Sequence, residues 1–189
     1  ITEKSLPTVS VGIVAKYLDH QDTYASLVEA IKSAAWNLGK KAKITWIDAE
    51  RLTSANVANH FRKIDAVVVP GGFGERGVEG KILAAQYALK NNLPYLGLCL
   101  GMQVAAIAAA RLAGEKKANS TEFDPETPSP VIDLMESQKM LAIKGGTMRL
   151  GDYECVLNKN SQAARAYGKT KIVERHRHRY EFNSKYEAL

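Results

Sequence analysis

Short apolar runs alternate with longer amphipathic runs along the first 112 residues of the chain. The first run, TVSVGIV at Thr8–Val14, is rich in β-branched residues and predicts a strand. Apolar residues then recur at helical spacing from Tyr24 to Leu38, and Gly39 lies where a helix would end. The same alternation predicts further strands and helices at Lys43–Ile47, Ser54–Arg62, Asp65–Val69, Val78–Lys90, Leu93–Leu98 and Gly101–Leu112. Because such alternation builds parallel sheets, we expect an open, mostly parallel α/β fold with helices on both faces.

The alternation weakens after Gly114. Ala118–Pro130 is polar and rich in proline, which predicts a loop, whereas Gly145–Leu157 and Lys171–Phe182 predict strands of a small antiparallel section. A chain of 189 residues is long enough for one domain with its own core. We therefore predict a single domain over residues 8–189, preceded at residues 1–7 by the remnant of a linker.

Composition argues against a membrane or secreted protein. No apolar segment approaches the roughly 20 residues that a membrane helix needs, and the N-terminal residues do not resemble a secretory signal. The two cysteines, Cys99 and Cys155, lie in different settings, which predicts no disulfide framework and favours a reducing compartment. We expect a cytoplasmic protein.

The formal charge of +6 is concentrated near the C-terminus, where Lys169–Arg179 is rich in Lys and Arg and contains a single Glu. In a strand, His176 and His178 would share one face and the arginines the other. The segment could bind nucleic acid or a phosphorylated ligand, or it could be a solvated strand edge. The H-x-H pair has no evident third ligand, so we predict no metal site.

The segment Gly97-Leu98-Cys99-Leu100-Gly101 places a cysteine between two glycines at the predicted turn from a strand to a helix. This is the layout of the nucleophile elbow, in which small residues are needed on both sides because the strand and helix backbones pass close together. The positive end of the helix would favour a thiolate, and the N–H of Leu100 would face a developing oxyanion. The alternative is a buried structural cysteine with glycines that serve packing alone.

A second glycine-rich turn, VPGGFG, follows the predicted strand at Asp65–Val69. Gly71 and Gly72 could direct backbone N–H groups toward an oxyanion and complete the hole begun by Leu100. The turn is not a dinucleotide fingerprint, because no helix opens at the required offset. Cys155, by contrast, lies in a strand-like run without glycine or an adjacent base, which indicates a structural role.

A cysteine nucleophile requires a base, usually histidine. His20 and His60 lie in polar segments beside helices and are predicted to be at the surface. Neither His176 nor His178 lies in a loop that is obviously suited to a catalytic base. The residues alone therefore identify a candidate nucleophile without its base.

Five segments together resemble the glutamine amidotransferase domain of the CTP synthase family, which has the flavodoxin-like class I fold. In chain order they read VPGGFGERGVEGK, YLGLCLGMQ, ANSTEFDP, GGTMRLG and ERHRHRYEFN, and the resemblance runs from about Val9 to Asn183. It implies that a cysteine hydrolyses L-glutamine and that the ammonia passes to a separate amidoligase domain, which aminates UTP with ATP. It implies no cofactor in this domain, whereas ATP, Mg and the activator GTP are expected for the full enzyme, which is expected to be a tetramer.

By this resemblance, Cys99 is the nucleophile that forms a glutamyl thioester. Gly72 and Leu100 match positions that bind glutamine and stabilise the oxyanion. A further three residues begin the elbow helix that lines the substrate pocket, namely Gly101, Met102 and Gln103.

The resemblance also assigns the two ends of the substrate. Glu122 and Arg179 match positions that hold the α-amino and α-carboxylate groups of glutamine. A zwitterionic amino acid suits one carboxylate and one guanidinium, the latter with bidentate geometry. This role for the basic strand argues against a nucleic-acid partner.

Two departures from the family pattern lead to an expectation about chain ends. The family carries its triad His and Glu in an FHPE-type motif, which these 189 residues do not contain, and the amidoligase domain is also absent. We therefore expect a glutaminase domain that lacks its C-terminal end and the separate N-terminal amidoligase domain. The alternatives are the glutaminase domain of another class I amidotransferase and a noncatalytic flavodoxin-like module that binds nucleotide.

Overall fold

The structure is a computed structural model that describes residues 5–18, 21–134 and 149–189. It divides into two compact units. The first unit comprises Ile1–Asp133 together with Phe182–Leu189, and the second comprises Leu134–Glu181. The boundaries of a single glutaminase domain over residues 8–189 stay a prediction.

The first unit contains a parallel sheet with strand order β2-β1-β3-β4. Its strands are β1 (Thr8–Ala15), β2 (Lys41–Asp48), β3 (Ala66–Val69) and β4 (Tyr95–Gly97). Its helices are α1 (Ala25–Asn37), α2 (Val57–Phe61), α3 (Val78–Lys90) and α4 (Leu100–Leu112). Each predicted element is present, which confirms the mostly parallel α/β fold. Within the described residues, no helix is long and apolar enough to cross a membrane.

The core lies where the central strands meet α3 and α4. β1 ends in Ile13, Val14 and Ala15, all fully buried, because a strand with neighbours on both sides and helices on both faces has no exposed surface. Val69, at the end of β3, pairs with Gly97 at the end of β4. Because parallel strands end at the same edge of a sheet, the turns after β3 and β4 start side by side.

Two further strands overlap the two ends of the segment predicted to be a loop. β5 (Ala118–Ser120) and β6 (Ser129–Leu134) pair in parallel, so the prediction of a loop over Ala118–Pro130 is wrong at both ends. The N–H of Thr121 donates to the carbonyl of Ile132 at 3.0 Å. Tertiary hydrogen bonds thus hold strands too short and too polar for the sequence pattern to reveal.

The second unit is built on an antiparallel pair, β7 (Arg149–Val156) and β8 (Lys171–His178), which confirms the small antiparallel section. The part of the predicted strand before Arg149 lies outside the described residues. Between the strands is α5 (Gln162–Tyr167), which the sequence analysis missed. Ser161 Oγ caps it by accepting from Ala164 N at 3.0 Å, and Gly168 ends it at φ +66°. After β8, β9 (Tyr180–Phe182) leads the chain back to the first unit.

Candidate active site

The turn between β4 and α4 holds Cys99 in a strained conformation. Its φ of +54° and ψ of −111° lie outside the regions that residues with a side chain ordinarily adopt. Cys99 is exposed and its thiol is free. The residue immediately precedes α4, so the thiol lies at the positive end of a 13-residue helix. The elbow predicted at Gly97–Gly101 is present.

The two flanking glycines make this turn possible. A Cβ on Gly97 would lie 2.4 Å from the carbonyl carbon of Gly101, and a Cβ on Gly101 would lie 1.9 Å from the carbonyl oxygen of Val69. Both distances are shorter than any real contact, and the atoms that would have to move belong to the backbone. The Tyr95 hydroxyl adds a hydrogen bond of 2.7 Å to the Gly101 carbonyl, and burial raises its pKa above the usual range, so it stays a donor.

The oxyanion loop, which we define as Pro70–Gly74, lies against the thiol. A Cβ on Gly71 would lie 3.2 Å from Cys99 Cβ and 3.8 Å from Cys99 Sγ. The N–H groups of Gly71, Gly72 and Leu100 have no acceptor within the described part of the chain. The loop and the first turn of α4 thus bring backbone donors without partners next to an exposed sulfur, the arrangement that an oxyanion hole requires.

Two lysines that the sequence analysis missed hold the carbonyls of the oxyanion loop. Lys16, directly after β1, donates from Nζ to the carbonyl of Phe73 and, at 3.1 Å, to that of Gly74. Lys81, on α3, is fully buried and donates to the Pro70 carbonyl at 2.9 Å. Burial, assisted by the charge of Lys16, lowers the Lys81 pKa to about 8, and negative charge on Cys99 opposes that shift.

Glu122 lies in the same unit and near the same lysine. Burial and the charge of Arg76 lower the pKa of Lys16, whereas the carboxylate of Glu122 favours the charged ammonium. The N–H of Glu122 donates to Ser120 Oγ at 3.1 Å, which anchors the residue just after β5. The first unit therefore brings the charge of Glu122 within electrostatic reach of the lysine that holds the oxyanion loop.

The remaining predicted residues of the elbow helix differ in exposure. Leu100, Gly101 and Gln103 are buried, whereas Met102 is 47% exposed. Among these four residues, Met102 therefore has the exposed side chain. The assignment of Gly101, Met102 and Gln103 to the wall of a substrate pocket stays a prediction.

Arg179 belongs to the second unit, between β8 and β9. It is half-buried, and its Nε has no hydrogen-bond partner within residues 5–18, 21–134 and 149–189. His176 and His178 share one face of β8 as predicted, with Nδ1 and Nε2 2.8 Å apart, while Arg175 and Arg177 are exposed. The assignment of Arg179 to the substrate carboxylate stays a prediction.

Other candidates are less suited to catalysis. His60 is exposed at the end of α2, as predicted, and His20 lies outside the described residues. Cys155 is half-buried in β7, in regular strand pairing with Ile172. The described ranges contain no group of three or more His, Cys, Asp or Glu side chains that could hold a metal ion.

Comparison with protein families identifies the chain. The model of the family described as glutamine amidotransferase class-I matches residues 19–188. The chain belongs to this family. Among solved structures, the amidotransferase is similar to the glutaminase domain of Trypanosoma brucei CTPS with bound acivicin, at 41% identity and a TM-score of 0.84. The match covers 94% of this chain and 69% of that one.

Curated relatives of this amidotransferase are named CTP synthase. That of Bacillus pumilus is 50% identical over 179 residues, which is 94% of this chain and 34% of the relative. That of Caldanaerobacter subterraneus is 53% identical over 182 residues, 96% of this chain and 34% of the relative. The chain thus spans about a third of the length of these relatives, and its sequence and fold match those of the CTP synthase glutaminase domain.

Proposed function

We propose that this amidotransferase hydrolyses L-glutamine through a covalent intermediate on Cys99. The observation that carries the proposal is the strained elbow, which holds an exposed thiol at the start of α4 and against the oxyanion loop. Strain of this kind persists only where the surrounding structure imposes it. Here the turn is enclosed by the close packing of Gly97 against the Gly101 backbone and of Gly101 against the Val69 carbonyl. A structural cysteine needs none of this, as Cys155 in its regular strand illustrates.

In the first half of the reaction, the Cys99 thiolate attacks the side-chain amide carbon of glutamine. The carbonyl oxygen becomes an oxyanion, which accepts hydrogen bonds from the N–H groups of Gly72 and Leu100. Collapse of this intermediate breaks the carbon–nitrogen bond, and the nitrogen takes up a proton and leaves as ammonia. A glutamyl thioester on Cys99 remains.

In the second half, water attacks the thioester carbonyl and loses a proton, the carbon–sulfur bond breaks, and glutamate and the thiolate are released. The same two N–H groups stabilise the second oxyanion. The proton acceptor that the family resemblance implies is the histidine of an FHPE-type motif.

The ends of the substrate are assigned to Glu122 and Arg179. Glu122 would accept hydrogen bonds from the α-ammonium group, which agrees with its proximity to the oxyanion loop through Lys16. Arg179 would bind the α-carboxylate, and the absence of a partner for its Nε among the described residues supports this role. Met102, which is exposed beside Cys99, would contact the aliphatic part of glutamine.

We further propose that the ammonia is used by the amidoligase domain of the same polypeptide to convert UTP to CTP. The relatives named CTP synthase are about three times as long as this chain, which leaves room for such a domain. ATP, Mg and the activator GTP would act on the whole enzyme, which we expect to be a tetramer. Two free cysteines agree with a cytoplasmic location.

The test of the nucleophile is ammonia release from glutamine by the intact protein with Cys99→Ala, with Cys155→Ala as the matched control. We expect loss of at least about 1,000-fold for the first variant, as for removal of other covalent nucleophiles, and unchanged turnover for the second. Glutamine hydrolysis that survives in Cys99→Ala would refute the role. Supply of UTP or of other acceptors to the intact protein then distinguishes CTP synthesis from another amidotransferase reaction.

A further inference from the structure

Lys81 is a charged side chain with no exposure to solvent, placed on the buried face of α3 among Val78, Ile82 and Ala85. Such burial is costly unless the charge has a partner, because an ammonium loses its hydration. Its ammonium group donates a hydrogen bond to the Pro70 carbonyl, at 2.9 Å. The buried charge is therefore directed at the first residue of the oxyanion loop.

Because of the geometry of the peptide bond, the hydrogen bond from Lys81 to the Pro70 carbonyl also fixes the direction of the Gly71 N–H. In a trans peptide, the carbonyl of one residue and the N–H of the next point in opposite directions. No cis peptide occurs in the described residues, so a Pro70 carbonyl that is held toward Lys81 directs the Gly71 N–H away from it. Gly71 also lies against Cys99, since a Cβ on Gly71 would lie 3.2 Å from Cys99 Cβ.

The other end of the loop is held in the same way. Lys16 binds the carbonyls of Phe73 and Gly74, so the two glycines lie between two ammonium groups. A Cβ on Gly72 would lie 3.2 Å from Lys16 Cε and 3.7 Å from Lys81 Nζ, which shows how closely both side chains approach it. Consecutive glycines have the largest backbone freedom of any pair, and an oxyanion hole depends on donors that are fixed in advance.

We propose that Lys81 is a positioning residue for glutamine hydrolysis, which fixes the Pro70 carbonyl and so holds the oxyanion loop in the conformation that places the Gly72 N–H donor beside Cys99. The inference rests on the proposed function. Lys81 touches neither glutamine nor the thiol in this role, and acts through the loop. Its positive charge adds attraction to the Cys99 thiolate.

The test compares three variants of the intact protein. Lys81→Met removes the donor and the charge at similar volume, Lys81→Gln keeps a donor without charge, and Lys90→Met changes an exposed lysine of the same helix. For Lys81→Met we expect kcat for glutamine hydrolysis to fall about 10-fold to 100-fold, with KM changed less than about 3-fold, because the donors matter most in the transition state. Lys81→Gln should recover part of the loss, and Lys90→Met should match the wild type.

A pH profile supplies a readout that a merely structural role would not move. The groups that act on Lys81 are Lys16 and Cys99, and its pKa is about 8. As pH rises through 8 the ammonium loses its proton, so wild-type kcat should decline there relative to Lys81→Met, which has no group to titrate. Labelling of Cys99 by a chloro-isoxazoline amino acid should still reach completion in the variant, which shows an intact pocket.

The outcomes separate this inference from the proposed function. Wild-type kcat in Lys81→Met, or a change in KM alone, overturns the positioning role. A fall in kcat together with lost labelling and a lower melting temperature also overturns it, because Lys81 would then serve only folding. If Cys99→Ala retains glutaminase activity, the proposed function itself fails, whatever Lys81 does.

Discussion

Cys99 and Cys155 carry the same thiol in opposite settings, and the difference is made by the backbone. Cys99 is exposed at positive φ between two glycines that no other residue could replace. Cys155 is half-buried in β7, where each residue from Arg149 to Val156 has a partner on β8. We therefore expect the reactivity of each thiol to depend on the backbone around it, with Cys99 in its strained turn more reactive than Cys155 in its regular strand.

The largest expected difference between the two regions is in alkylation. We expect a chloro-isoxazoline amino acid, which mimics glutamine, to label Cys99 of the intact protein at least about 100-fold faster than Cys155, since only the first has a helix N-terminus and an oxyanion loop beside it. Peptide mass mapping over time measures both rates. Equal rates would show that the elbow does not activate its thiol.

Alanine substitutions of two glycines compare the cost of disturbing the turn at Cys99 with that of disturbing the second unit. Gly101→Ala places a Cβ 1.9 Å from the Val69 carbonyl oxygen, so we expect destabilisation of about 3 kcal/mol or more. Gly168→Ala, at the end of α5, meets nothing within 4 Å and should cost only about 1–2 kcal/mol for its positive φ. Urea unfolding of the intact protein gives both values, and a smaller loss for Gly101→Ala would mean that β3 and α4 can separate easily.

Two tyrosines offer a comparison of smaller size. Tyr95→Phe removes a largely buried hydrogen bond to the Gly101 carbonyl, and we expect about 1–1.5 kcal/mol of destabilisation. Tyr167→Phe removes an exposed hydrogen bond to Glu174 and should change stability by less than about 0.5 kcal/mol. Thermal unfolding of the two variants checks the order, which equal values would contradict.

Tyr95 also predicts a dependence on pH. Burial raises its pKa in the folded protein above the usual 10, so above pH 10 the unfolded chain holds fewer protons at this site than the folded one. The stability contributed at this site is present below pH 10 and falls as the pH rises further. Unfolding of Tyr95→Phe across the same range should lack that part of the decline, and parallel curves for variant and wild type would contradict the assignment.

A further small effect concerns the helix in the second unit. Ser161 Oγ caps α5, so Ser161→Ala should destabilise the protein by about 1 kcal/mol, with Ser161→Asp close to the wild type because aspartate also accepts from the helix N–H groups. Thermal unfolding again provides the measurement. If Ser161→Asp is as unstable as Ser161→Ala, the cap does not contribute.

The sequence could predict those elements whose defining residues are neighbours along the chain. The spacing of apolar residues gave Val78–Lys90 with its observed ends, and the glycines around Cys99 indicated the elbow because a close backbone crossing admits no other residue. β5 and β6 were missed because they are held by pairing between residues 11 or 12 positions apart, and β5 lies in a polar segment. α5 was missed although Ser161 and Gly168 mark its two ends.

Lys81 illustrates a different limit of prediction from sequence. Lys81 follows Val78 by three residues and precedes Ile82 and Ala85 on the buried face of α3, so a charge on an apolar face was the available signal. Its partner, the Pro70 carbonyl, is a backbone atom 11 positions away that carries no side-chain signature. The spacing of apolar residues can therefore indicate that a charged side chain is buried, whereas only the folded structure shows which group that side chain hydrogen-bonds.

The close packing of Gly97 and Gly101 beside Cys99 also constrains which substitutions such a protein can accept during evolution. Exchange of the sulfur for another small side chain leaves the backbone crossing intact, so a descendant without activity would keep its shape and could regain the reaction through one substitution. Exchange of either glycine would instead force apart the main chains that support the turn, because the added Cβ would meet backbone atoms at 2.4 Å or less. We therefore expect substitutions of Cys99 to remove activity reversibly during evolution, whereas Gly97 and Gly101 have to be retained for the protein to fold.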